Sequence, residues 1–291
     1  MSDRVLLLIN RHARQGQGRY QEAINCLTQL GFKIITESTE NPTELPAVIR
    51  RYQKEIDLVI VGGGDGTLNA TVEAIVDTQL PLGILPLGTA NDLARTLGIP
   101  NSIPQACQII ARGKLRRIDL GWVNGKYFFN VASLGLSAKI TQGLTKEIKR
   151  RWGIFAYAAI ALQVIWKSRP FHAEIQVNGE SFLVKTVQIA IGNGRYYGGG
   201  MAVVHDAAID DERLDLYSLE IDHWWQIIPF LPSMRQGRHI NWQSVRAIQG
   251  QEMTVYTRRP HSINTDGEIT THTPAVFRVI PKAIAVLVPE L

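Results

Sequence analysis

Val59-Ile60-Val61-Gly62-Gly63-Gly64-Asp65-Gly66-Thr67-Leu68-Asn69 joins a run of branched aliphatic residues to three glycines and an Asp-Gly-Thr. A continuous apolar run of this kind predicts a strand buried on both faces, as in a parallel sheet covered by helices. The glycines let the backbone adopt conformations closed to other residues and let it approach a ligand closely. A helix predicted from there through residue 77 would turn free N–H groups and the positive end of its dipole toward an anion. Asp65 stands where a carboxylate could engage the metal that accompanies a nucleoside triphosphate. The alternative is a strand-to-helix turn whose glycines serve packing alone.

Working outward, the first 120 or so residues alternate between the two patterns. Strands are expected over 5–10, 33–36, 57–61 and 82–85, and helices over 18–30, 42–55, 91–97 and 103–112. In the first helix Tyr20, Ile24 and Leu27 fall on one face. Beyond residue 118 the runs 126–131, 173–177, 181–191, 213–219, 252–257 and 275–280 alternate or are β-branched, and Asn178-Gly179 marks a hairpin. One helical island, about 139–167, interrupts them. The expected fold is an α/β N-terminal domain with a parallel, Rossmann-like sheet over 1–121, rejoined by 281–291. A β-rich, sandwich-like domain with an inserted helix is expected over 122–280.

Hydrophobic residues make up 45% and charged residues 20% of the 291, which fits a chain with a real core rather than a disordered one. The net charge of +5 suits contact with phosphates without choosing among nucleotide, nucleic acid and anionic lipid. No aromatic-basic recognition module is present, so nucleic acid is not expected as a partner. Cys26 and Cys107 lack metal-ligand spacing, which argues against a disulfide scaffold or a zinc site. The apolar run 5–9 is too short for a secretory leader, and 154–166 is too short to cross a bilayer. A cytoplasmic protein, attached peripherally to membranes, is the expectation.

Two familiar glycine motifs do not fit. No Gly-Lys-Ser/Thr follows the glycines, and the third glycine of a dinucleotide fingerprint is missing. A second segment, Leu85-Pro86-Leu87-Gly88-Thr89-Ala90-Asn91-Asp92-Leu93-Ala94-Arg95, again follows a predicted strand and opens a helix. Asn91 and Asp92 suit a helix N-cap as well as a site. Gly-Gly-Asp-Gly-Thr is shared with diacylglycerol and sphingosine kinases, NAD kinases and phosphofructokinases. The second segment resembles the Pro-x-Gly-Thr-x-Asn-Asp-x-Ala-Arg signature of the diacylglycerol-kinase-like lipid kinases, and the pair together is specific to them.

That resemblance covers most of the chain and implies an ATP-dependent kinase that phosphorylates a membrane lipid hydroxyl, by default diacylglycerol. ATP and Mg2+ are the implied cofactors. Nucleotide contacts would come from Asn10, Thr39, Gly62, Gly63, Gly64, Asp65, Gly66, Thr67, Leu68, Asn69, Gly88, Thr89 and Asn91. The loop after the first strand departs from the family by carrying Arg11 and Arg14. Asp65 and Asp92 would organise metal and phosphates. In Ile263-Asn264-Thr265-Asp266-Gly267-Glu268, otherwise an ordinary hairpin, Glu268 matches the family's catalytic base, with Asp266 in support. Asn193 and the glycines 198–200 resemble a further family segment. The loop 207–215 resembles a magnesium site made by Asp211 with the carbonyls of Ala208 and Arg213. There Glu212 replaces the usual glycine and would add strain if positive φ is required. The basic start of 146–167, and Trp224-Trp225 with 227–231, suit an anionic membrane surface; the alternative is a core helix with a solvated charged start, and core packing likewise for the second patch. Other readings are a different acceptor (phosphatidylglycerol, a sphingoid base or NAD) or an inactive nucleotide- and membrane-binding regulatory module. A homodimer is left open.

Overall fold

The computed structural model describes residues 4–9, 16–37, 41–143, 163–166, 168–202, 207–227 and 242–290. The chain forms two units, residues 1–120 with 281–291 and residues 121–280.

The first unit is an α/β layer structure. In chain order it holds β1 (Arg4–Ile9), α1 (Gly16–Gln29), β2 (Lys33–Glu37), α2 (Leu45–Tyr52), β3 (Leu58–Gly63), α3 (Asp65–Thr78), β4 (Leu82–Pro86), α4 (Asp92–Thr96) and α5 (Ile103–Arg112). The strands run parallel in the order β2-β1-β3-β4. All of β3 and all but the first residue of β1 are buried, which is why both read as unbroken apolar runs. The glycines Gly62 and Gly63 belong to β3 itself, so the strand is longer than its aliphatic residues suggest. The helix expected over 42–55 begins as a tight turn, Pro42–Glu44, where Asn41 accepts the Thr43 N–H. Both cysteines are free. Burial first, and then neighbouring Cys26, push the Cys107 thiol up to about 12.

The second unit is antiparallel. Its strands are the end of β5 (Lys114–Val123), β6 (Lys126–Phe128), β7 (Val131–Gly135), β8 (Phe171–Val177), β9 (Glu180–Thr186), β10 (Gln188–Gly192), the short pair β11 (Tyr196–Tyr197) and β12 (Met201–Ala202), β13 (Leu214–Leu219), β14 (Val245–Gly250), β15 (Glu252–Thr257), β16 (Ser262–Thr265), β17 (Glu268–His272) and the start of β18 (Ala275–Val288). One sheet has the order β14-β13-β10-β7-β16-β17, and the other contains β18, β15, β8 and β9. Ile189, Ile191, Leu214, Leu216 and Leu134 of the first sheet meet Ile175, Val184, Met253, Val255 and Phe277 of the second in one core. On the outer face of the first sheet α6 (Leu136–Gly143) contributes Leu136 to a second cluster with Tyr217, Leu219 and Ile227. After residue 280 β18 continues in the first unit, where Val286 pairs in parallel with Leu82.

Two expected strands are broken in two. The run 181–191 leaves one sheet for the other at Val187, whose N–H donates to Leu219 O and whose carbonyl accepts the Leu136 N–H, with the Thr186 hydroxyl close to Leu219 O and Gln188 O at the crossing. The run 126–131 stops at Phe128 because the next backbone amides serve a side chain, described below. Of the helical island, α6 and the turn 163–166 are described; 144–162 lie outside the described residues. No helix among the described residues is long and apolar enough to cross a membrane.

Candidate active site

In the first unit β3 and β4 pair with Gly63 opposite Pro86, so both motif turns leave the sheet side by side at the carboxyl ends of their strands. Open α/β sheets generally bind ligands at such ends. The Leu87 N–H donates to Gly63 O at 3.0 Å. Gly64 and Gly88 touch through their backbones: a Cβ on Gly88 would lie 2.4 Å from Gly64 Cα and 2.7 Å from Asn91 Oδ1. A Cβ on Gly63 would lie 2.5 Å from the Thr67 Cβ. None of these glycines has positive φ; they are needed for space.

Gly64 opens α3 without a side-chain cap, and the Thr67 and Leu68 N–H groups bond its carbonyl at 3.0 and 3.1 Å. The N–H groups of Asp65 and Gly66 have no helical acceptor, as at any helix start. That turn is the part of the motif suited to phosphate oxygens. Leu68, which the resemblance counted among nucleotide contacts, is 2% exposed and belongs to the core. Asn69 is half-buried, and its Oδ1 has no hydrogen-bond partner.

The second turn is locked onto the first. Asp65 Oδ1 accepts the Leu93 N–H at 3.1 Å, so the aspartate of one motif caps the helix of the other. Asn91, at φ 51°, accepts the Gly88 N–H through Oδ1 at 2.9 Å. Its Nδ2 donates to Gly88 O and to Asn101 Oδ1, both at 3.0 Å. Asn91 therefore shapes the Gly88 turn with both ends of its amide. Asp92 is buried and pairs with Arg95 Nη1 at 3.2 Å, while Thr89 stands exposed at the turn. No sequence signal announced the Asp65–Leu93 bond, because its two residues are 28 apart.

In the second unit Asp266 and Gly267 have φ 47° and 94°, the two left-handed residues of a hairpin turn between β16 and β17. The Asp266 carboxylate does not face solvent as it would in a plain hairpin. Its Oδ2 accepts the Phe129 N–H at 2.6 Å, and its Oδ1 accepts the N–H groups of Asn130 and Val131, both at 3.0 Å. Asn193 reaches the same segment, donating from Nδ2 to Phe129 O at 2.8 Å. Asn264 braces the turn from within, accepting the Gly267 N–H at 2.8 Å and donating to Thr141 Oγ1 of α6 at 3.0 Å. Glu268, the first residue of β17, is exposed. The structure thus brings Asn193, Asp266 and the 129–131 backbone together, and the last of these was invisible as a motif.

In the loop 207–215 an arginine lies among the acidic side chains. Arg213 Nε lies 3.0 Å from Asp211 Oδ2 and 3.8 Å from Asp215 Oδ1. A guanidinium already supplies the positive charge that an ion coordinated by Asp211 and the carbonyls of Ala208 and Arg213 would bring. Glu212 does take φ 58°, the conformation for which the family's glycine is suited. No group of three or more His, Cys, Asp or Glu among the described residues could hold a metal. In this structure the Asp211 carboxylate is held by Arg213. Asn10, Arg11, Arg14, Thr39 and residues 228–231 lie outside the described residues.

The chain matches the family model of the diacylglycerol kinase catalytic domain over residues 4–123. It matches that of the YegS C-terminal NAD kinase beta sandwich-like domain over residues 130–288. A diacylglycerol kinase of Bacillus subtilis (strain 168) is 31% identical over 266 residues, 90% of this chain and 88% of that protein. The chain belongs to the YegS-like lipid kinase family. A solved structure from Bacillus anthracis str. Sterne is similar with a TM-score of 0.86 at 23% identity, covering 99% of this chain and 96% of that one. A diacylglycerol kinase structure from the same organism gives a TM-score of 0.76 at 20% identity, with coverages of 99% and 97%. At those identities the likeness is one of fold. As a member of the family the chain is a lipid kinase, with the α/β and β-rich units that its relatives share.

Proposed function

We propose that this lipid kinase transfers the γ-phosphate of ATP, delivered as its Mg2+ complex, to the free hydroxyl of a membrane diacylglycerol, giving phosphatidic acid and ADP. The observation that carries the nucleotide half is the pair of abutting turns at the ends of β3 and β4, with backbone N–H groups at the start of α3. Phosphates lying along that turn would be met by N–H groups and a helix dipole. Asp65 has one oxygen engaged by a single amide, which leaves acceptor capacity for the cation that arrives with ATP. Asp92 would act beside it by exchanging its ion pair with Arg95. Asn10, Thr39 and Thr89 are proposed as further nucleotide contacts.

Glu268 is proposed as the base. The lipid oxygen attacks the γ-phosphorus, the bond to the bridging oxygen of ADP breaks, and Glu268 takes the hydroxyl proton. Positioning and charge neutralisation supply most of the acceleration in such transfers. Diacylglycerol rests on the names of relatives and on family default; the basic and aromatic segments support an anionic membrane surface as the place of reaction.

Labelled ATP supplied with vesicles holding diacylglycerol, phosphatidylglycerol or a sphingoid base, and with NAD in parallel, tests this directly. Labelled phosphatidic acid is expected. Label in another lipid would correct the acceptor, label in NADP would overturn the lipid reading, and ATP binding with no turnover would indicate a regulatory module. Replacing Glu268 by alanine is expected to lower turnover by about 10²-fold or more while ATP binding persists. Retention of more than roughly a tenth of the wild-type rate removes Glu268 from that role.

A further inference from the structure

A carboxylate two residues before the proposed base invites a catalytic reading, but its surroundings assign it another one. Three successive backbone N–H groups, those of Phe129, Asn130 and Val131, converge on the Asp266 side chain at 2.6, 3.0 and 3.0 Å. The Asp266 N–H in turn donates to Val131 O at 3.0 Å. Both carboxylate oxygens are thus engaged by the main chain, in charge-assisted bonds stronger than those between neutral groups. The carboxylate also replaces the strand ladder at these residues: β6 ends at Phe128, and β7 begins at Val131. Asn193 holds the same segment from its other side by donating to Phe129 O.

We propose that Asp266 is a positioning residue, whose carboxylate clamps the 129–131 main chain and thereby fixes the hairpin that presents Glu268. The inference rests on Glu268 being the base proposed above. The turn takes left-handed backbone at Asp266 and Gly267, a tight two-residue connection that couples the Asp266 side chain closely to Glu268, while β16 pairs with β7 only as far as Thr265. The clamp extends that pairing to the tip itself, binding it to the start of β7, a central strand of the sheet. Asn264 adds a second brace through Gly267 and Thr141. Glu268 follows immediately as the first residue of β17 and inherits the fixed geometry.

Asp266→Gly removes the side chain while keeping a residue at ease with positive φ; asparagine is avoided because Asn-Gly deamidates back to aspartate. For an active wild type, kcat in Asp266→Gly is expected to fall about 10²-fold, the scale of a misplacement near 1 Å. KM for ATP should change by less than about threefold, the pattern of a group acting only on the transition state. The acid limb of the kcat–pH profile should keep its midpoint, since the base is still present. Amide hydrogens of residues 129–131 should exchange at least about tenfold faster than in wild type, having lost their acceptor. If Asp266→Gly does not fold, Asp266→Ser is subjected to the same measurements. A kcat within about threefold of wild type overturns the proposal. So does loss of the acid limb in the Asp266 variant with its retention in Glu268→Gln, which would make Asp266 the base. A wild type inactive on every lipid would defeat the proposed function, yet the exchange rates would still decide whether the clamp exists; unchanged exchange there defeats the clamp.

Discussion

Asp65-Gly66 and Asp266-Gly267 are one dipeptide in two backbone states. The first pair opens α3, and its aspartate gives one oxygen to one amide, that of Leu93. The second lies at a hairpin tip with left-handed φ at both residues, and its aspartate gives both oxygens to three amides. A carboxylate with one main-chain partner keeps lone pairs for a ligand, whereas one enclosed by three amides is part of the fold. Two aspartates inside family-like motifs can therefore contribute to the same chemistry by different means. On the proposed function, one would act through its charge and the other through the geometry it imposes.

The widest separation should appear between activity and stability. Asp65→Ala is expected to reduce turnover by roughly 10²–10³-fold, the usual cost of removing one electrostatic stabiliser. Its melting temperature should fall less than that of Asp266→Gly, because one amide loses its acceptor instead of three. Equal losses of stability in a thermal melt would erase the distinction.

Gly88→Ala probes the spatial requirement of the first turn. An added Cβ meets backbone at 2.4 Å and cannot be relieved by a rotamer change. Overpacking of this sort costs about 1–3 kcal/mol, and ATP affinity measured by calorimetry should fall with it. A third position tests the conformational half of the comparison. Glu212 adopts φ 58°, a conformation that carries a steric cost for any residue with a Cβ. Glu212→Gly should stabilise the protein by about 0.5–1 kcal/mol in denaturant unfolding. A destabilised variant would mean that the side chain contributes more than its backbone costs.

The smallest effect is expected from pH. His261 stacks on Phe171 with ring centroids 4.2 Å apart, and burial, with help from Lys139, lowers its pKa. The neutral ring is thus favoured in the folded state. The associated stability is complete above the unfolded value, about 6.5, and is lost as pH falls from there through the folded value. His261→Phe should keep the stacking and show a shallower loss of melting temperature between pH 7 and 5.

Much of the architecture was legible because burial leaves a mark on every residue of an element. Strands β3 and β4, and β1 after Arg4, are apolar throughout, α5 carries Ile103, Ala106, Cys107 and Ile110 at helical spacing, and Asn178-Gly179 turns β8 into β9 as expected. The breaks at 129–130 and 187 were not legible. At the first a distant group, the Asp266 carboxylate, takes the place of ladder partners; at the second the chain passes from one sheet to the other, with the Val187 N–H bonded to Leu219 O of the new sheet. Nothing in the local run of 126–131 or 181–191 registers either event.

By itself the sequence determined that glycines and an aspartate follow a buried strand, that Pro-Leu-Gly-Thr follows the next, and that an Asp-Gly hairpin precedes Glu268. Those are statements about neighbours along the chain, where periodicity and steric freedom act. Only the tertiary structure decided that Asp65 caps the helix after the second motif and that Leu68 is core. It alone decided that Arg213 neutralises Asp211 and that Asp266 closes on the main chain at 129–131. Hydrogen bonds and ion pairs between distant residues depend on where folding brings each partner, and a one-dimensional pattern holds no coordinate for that.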